Sequence, residues 1–101
     1  MVVVTGEIDM ATAPMLANEL ATAIEEGAGP VVLDLVDVTF FDSSGLRVAI
    51  VAHRDLNEKG RRLAVACDPE GHVRRTFSLA GLADVLDLHP SRAAALADLA
   101  R

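Results

Sequence analysis

Two hydrophobic rhythms alternate along the chain. Short, nearly continuous apolar runs mark buried strands, and longer stretches with apolar residues every three or four positions mark helices. Val2 to Val4 is a β-branched run that stops at Thr5-Gly6 and predicts a strand. From Thr12 to Glu26 the spacing of Leu16, Leu20, Ala23 and Ile24 predicts a helix, with Thr12 as its cap, Pro14 in the first turn and Gly27 as its stop. "PVVLDLV", residues 30 to 36, is the clearest buried strand, and Val38 to Phe41 extends it. A second helix spans Ser43 to Lys59, with Leu46, Ala49, Ile50, His53 and Leu56 on one face and Gly60 as its stop. "RLAVAC", residues 62 to 67, predicts another strand. Asp68-Pro69 suits the cap and first turn of a third helix carrying Val73 and Phe77. Val85 to Leu88 is a short strand, and Pro90 to Ala100 a closing helix with Leu96 and Leu99 inside.

Alternating strands and helices imply an α/β fold with parallel pairs and right-handed crossovers. The expectation is a small α/β sandwich: a mixed sheet of about four strands, with about four helices packed mainly on one side. All 101 residues fit a single domain. With 51% apolar and 24% charged residues, the composition is that of a globular chain able to bury a core without disulfide or metal staples.

Charge narrows the partners. A formal net charge of −6 argues against nucleic acid and anionic membranes, both of which need a basic face. Arg61-Arg62 and Arg74-Arg75 read as solvated strand and helix ends. Cys67 stands alone, forms no internal disulfide, and reads as a small apolar filler at a strand end. The opening "MVVVTGEID" lacks the basic and apolar regions of a signal peptide, and "VAIVA" is far too short to cross a bilayer. These features predict a soluble cytoplasmic protein.

Candidate chemistry concentrates in "FFDSSGLRVAI", residues 40 to 50, where a strand runs into Asp42, two serines and a glycine before a helix begins. Asp and Ser are favoured N-caps, and a carboxylate suits the positive end of a helix, so capping alone accounts for these residue types. A serine nucleophile needs a base, and the G-x-S-x-G frame of a hydrolase elbow is absent. His53 lies ten residues along the helix, roughly 15 Å away at 1.5 Å per residue. There is no G-x-x-x-x-G-K-[ST] phosphate loop, and Asp9 with Asp42 supplies too few ligands for a metal. An enzyme is not expected, nor is a cofactor.

Three segments, in order, carry a family resemblance. "FFDSSGLRVAI" resembles the phosphorylation loop, D-S-[ST]-G-L after a strand, of the STAS domain family in its bacterial anti-sigma-factor antagonist branch. "TGEIDMATAPML", residues 5 to 16, is similar to that family's G-E-[IL]-D segment. "RRTFSLAGLADVLDL", residues 74 to 88, is similar to its stretch in which a helix with a Phe meets a Gly-Leu turn and a last short strand.

The resemblance implies a partner switch. Such a protein binds an anti-sigma factor that is also a serine kinase, and so frees a sigma factor. Phosphorylation of the first loop serine breaks the complex, and a PP2C-type phosphatase restores it. Carried over by position, the phosphoacceptor is Ser43, and the docking face comprises Glu7, Asp9, Asp42, Ser43, Ser44, Gly45, Leu46 and Arg47. The alternative is a STAS scaffold that is never phosphorylated. Two departures stand out. Arg47 occupies a position where many members carry a small residue, often glycine. Members often have an extra strand before "TGEID", so either the sheet is smaller here or the recorded start is too late; a missing strand would leave an edge that invites pairing with a second chain.

Overall fold

A computed structural model describes residues 1–100. Eight elements alternate along the chain: β1 (Val2–Ile8), α1 (Ala13–Glu26), β2 (Val31–Phe41), α2 (Ser43–Glu58), β3 (Leu63–Ala66), α3 (His72–Leu79), β4 (Asp87–His89) and α4 (Arg92–Leu99). The strands form one sheet in the order β1-β2-β3-β4. All three pairings are parallel, where a mixed sheet was expected. The reason is that a helix intervenes between every two successive strands, and such crossovers return the chain in the same direction.

Helices cover both faces of this sheet, so its centre reads as an unbroken apolar run. Val31, Leu33 and Leu35 face the main core with Leu16 and Leu20 of α1, Ala49, Ala52 and Leu56 of α2, and Val73 and Phe77 of α3. Val32, Ala64 and Ala66 face the other way and meet Ala95 and Leu99 of α4. Three helices therefore share one side, as expected of helices packed mainly on one face. On the α4 side Asp34 is buried, and its carboxylate is held by Arg92 Nε at 2.6 Å and by the Val36 amide at 3.0 Å. A buried charge needs such partners.

Several boundaries differ from the sequence reading. β1 runs on to Ile8, pairing with β2 through two register shifts. Asp68-Pro69 does not start α3. Asp68 Oδ1 instead accepts from the Glu70 amide at 3.0 Å, the Gly71 amide bonds the Asp68 carbonyl at 3.0 Å, and the helix begins only at His72. Thr12 makes no side-chain bond to an α1 amide. Ile50 is exposed while Ala52 is buried, which rotates the buried face of α2. In α4, Ala95 is buried and Leu96 is exposed, because the small side chain faces the small residues of β3. The last strand sits at residues 87–89, starting two positions later and ending one later than predicted. Cys67 is a buried free thiol beside the main core, as the sequence indicated. Among the described residues, no helix is long and apolar enough to cross a membrane.

Candidate functional site

Parallel pairing puts the carboxyl ends of β1 and β2 side by side. Ile8 is opposite Phe41, Glu7 is opposite Phe40, and the Asp42 amide bonds the Ile8 carbonyl at 3.3 Å. The "GEID" and "DSSG" segments, over thirty residues apart in sequence, thereby form one surface.

Asp42 is the N-cap of α2. Its backbone is extended (φ −106°, ψ −167°), its Oδ1 accepts from the Ser44 amide at 2.8 Å, and its carbonyl accepts from the Leu46 amide at 3.1 Å. Ser43 is the first helical residue and is exposed; its hydroxyl has no hydrogen-bond partner among the described residues. Ser44 is half-buried behind it, and Leu46 packs against the main core. The backbone of the turn is thus fixed by the cap, and of its two serine hydroxyls, neither bonded among the described residues, that of Ser43 is the more exposed.

Gly45 is required by what lies beneath it. A Cβ at this position would stand 2.6 to 2.9 Å from three atoms of the Phe41 ring. Phe41 is 1% exposed and packs on Phe77 with ring centroids 5.2 Å apart. Thr76 Oγ1 lies 3.1 Å from the Phe41 carbonyl, tying α3 to the end of β2. Phe40, on the outer side, stacks on His72 at 5.3 Å. The sequence reading did not select Phe41, Thr76 or His72. The doubled Phe before the aspartate is the one local signal that could have pointed to this seat.

On the neighbouring strand end, Asp9 Oδ1 accepts from the Ala11 amide at 2.9 Å and the Thr12 amide at 3.1 Å. Those bonds, Thr12's first and Ala11's second, hold the Asp9 carboxyl below its ordinary value. The Thr12 hydroxyl accepts from the Asp9 amide at 2.9 Å and reaches the Glu7 carbonyl at 3.0 Å. Asp9 therefore shapes the β1–α1 turn, while Glu7 is exposed. Met10 beside it is 81% exposed, an adaptable apolar contact at the rim.

Arg47 is exposed one turn along α2 from Ser43, and takes no part in any ion pair among the described residues. It lines a groove of about 270 Å³ between α1 and α2, with Leu20, Ile24, Val48, Val51 and Asp55. All the sequence-selected residues, Glu7, Asp9 and Asp42 to Arg47, thus fall on the β1–α1 turn, the end of β1 or the first turns of α2. His53 instead pairs with Asn57 at 3.1 Å, further along α2. At the far edge strand, Asp87, His89 and Asp98 come together. Arg62 bonds both carboxylates there, so the cluster is an ion-pair network joining β4 to α4.

Comparison with known proteins matches residues 1–95 to the STAS domain family model. A Bordetella bronchiseptica protein named as a candidate anti-sigma factor antagonist is 35% identical over 92 residues, 91% of this chain and 78% of that one. The anti-sigma F factor antagonist of Paenibacillus polymyxa is 32% identical over 96 residues, covering 94% and 81%. Among solved structures, an anti-sigma factor antagonist from Mycobacterium paratuberculosis superposes with a TM-score of 0.88 at 29% identity, over 98% of this chain and 83% of that one.

Proposed function

The chain belongs to the STAS domain family, and from that premise we propose that it is an anti-sigma-factor antagonist switched off by phosphorylation at Ser43. In the unmodified form, the surface made by Glu7, Asp9 and residues 42 to 47 binds an anti-sigma factor that is also a serine kinase, and a sigma factor is released. Kinase action on Ser43 ends the complex, and a PP2C-type phosphatase resets it. The protein works by binding and catalyses no reaction itself. The observation that carries this reading is the exposed Ser43 hydroxyl, without a hydrogen-bond partner among the described residues, on a turn whose backbone the Asp42 cap holds.

The physics of the switch is local. A phosphate adds roughly −1.5 to −2 charge at neutral pH. It would sit at a helix N-terminus, where anions are tolerated, so the domain keeps its fold. Asp42 and Glu7 already make this surface acidic. Like unit charges about 4 Å apart repel by about 1 kcal/mol in water and about 4 at the effective dielectric of a partly dry interface. A few such repulsions, with the added bulk, reduce affinity by orders of magnitude.

The test is intact-mass spectrometry with site mapping after incubation with ATP and anti-sigma kinases from the same organism. One added phosphate on Ser43, lost in Ser43→Ala, is the expected result. Tight binding to those kinases with no phosphate transferred would overturn the switch and favour a constitutive scaffold.

A further inference from the structure

We propose that Arg47 is a built-in clamp for phosphoserine at position 43, its guanidinium gripping the phosphate across one turn of α2. The clamp rests on the reading that Ser43 is modified; it concerns what the chain itself does with the phosphate.

Arg47 is four positions after Ser43, so the two lie on the same helix face with Cβ atoms about 5–6 Å apart. Helical side chains lean toward the N-terminus, which carries the long Arg47 side chain back over the turn that holds Ser43. The order is the favourable one, with the acidic group N-terminal to the basic group. Both residues are exposed, and neither the hydroxyl nor the guanidinium has a partner among the described residues. Two carboxylates of this surface each have an oxygen engaged by backbone: Asp42 Oδ1 with the Ser44 amide and Asp9 Oδ1 with the Ala11 and Thr12 amides. A guanidinium matches phosphate oxygens with two parallel N–H donors, where an ammonium offers only a point charge.

This arrangement gives phosphorylation a second effect. The modification adds negative charge and also draws Arg47 out of the docking surface, so a partner loses a cation as well as meeting an anion. Arg47 lines the α1–α2 groove too, so its swing toward Ser43 changes the side wall of that groove.

Genetically encoded phosphoserine at position 43 makes the test independent of any kinase. Four proteins are compared: serine or phosphoserine at 43, each with Arg47 or Arg47→Ala. The unphosphorylated pair should melt together, whereas the phosphorylated pair should differ by about 2–5 °C, the shift expected for one exposed charge pair across a helical turn in a domain of this size. Arg47→Lys should fall between them. The Arg47 Nε–H resonance should move on phosphorylation. An equal difference in both pairs, or an unmoved Nε–H signal, overturns the clamp. Failure of every kinase to modify Ser43 would sink the proposed switch while leaving this comparison readable.

Discussion

Two junctions in this molecule start with the same chemistry and end differently. After β2, Asp42 accepts from the amide two residues on, at 2.8 Å, and α2 begins at the next residue. After β3, Asp68 accepts from the amide two residues on, at 3.0 Å, yet the chain makes a turn and α3 waits until His72. The carbonyls show the divergence. That of Asp42 receives the Leu46 amide four residues ahead, a helical bond, and that of Asp68 receives the Gly71 amide three ahead, a turn. Beneath the first junction lies the Phe41 ring, on which Gly45 rests. At the corresponding point above Gly71 the three nearest atoms outside its chain neighbours all belong to Asp68. An aspartate after a strand is therefore only a local bond. The aromatic seat turns the first junction into a rigid platform for an exposed serine.

The largest expected effect breaks the seat. Gly45→Ala should lower stability by about 1–3 kcal/mol, the range for overpacking a well-filled core, and Gly71→Ala should cost clearly less, since a Cβ there would stand 3.1 Å from the Cβ of the exposed Asp68 and not 2.6 Å from a buried ring. Thermal unfolding of both variants decides it, and equal losses would remove the distinction between the junctions. Next, Asp42→Ala should cost about 1 kcal/mol through the lost cap, while Asp68→Ala, which caps no helix, should stay within about 0.5 kcal/mol. Denaturant titration resolves that gap.

The smallest effect sharpens the picture at the neighbouring strand end. The folded-state carboxyl of Asp9 is held below its unfolded value of 3.8. Its ionised form thus adds stability above that pH, and the contribution disappears as pH falls through the lower folded value. Asp9→Asn lacks this titration, so the stabilities of the two proteins should differ at pH 6 and converge in strong acid. A constant difference across that range would assign the role of Asp9 to shape alone.

These pairs also explain what could be read from the sequence. The run at residues 31–35 was legible because it is buried on both faces, leaving no polar alternation to confuse it. The Asp-Ser-Ser-Gly junction was legible because cap chemistry is local, and the resemblance supplied its meaning. By the same local signs Asp68-Pro69 resembled a helix start, and only the tertiary surroundings separate it from Asp42. Gly45 on Phe41 was invisible, since a helical glycine is explained by the ring it touches. Leu96 misled because the alanine-rich α4 has little pattern, and the tight approach to Ala64 and Ala66 selects Ala95 as the inner residue. The doubled coverage of the sheet hid its all-parallel pairing less than the expectation of a mixed sheet implied: a helix between every pair of strands already required it.

The seat under Gly45 has a consequence for substrate shape. On one side of Ser43 the chain is bonded into a sheet, and on the other it is already helix. An enzyme that reads a linear word of extended residues around a hydroxyl would find none here. Under the proposed switch, a kinase acting on Ser43 would have to recognise a conformational epitope, assembled from residues 7–9 and 42–47, and so would sense whether the domain is folded before acting on it. A synthetic peptide copying residues 38–50 would hold every letter of the loop and lack the object being read.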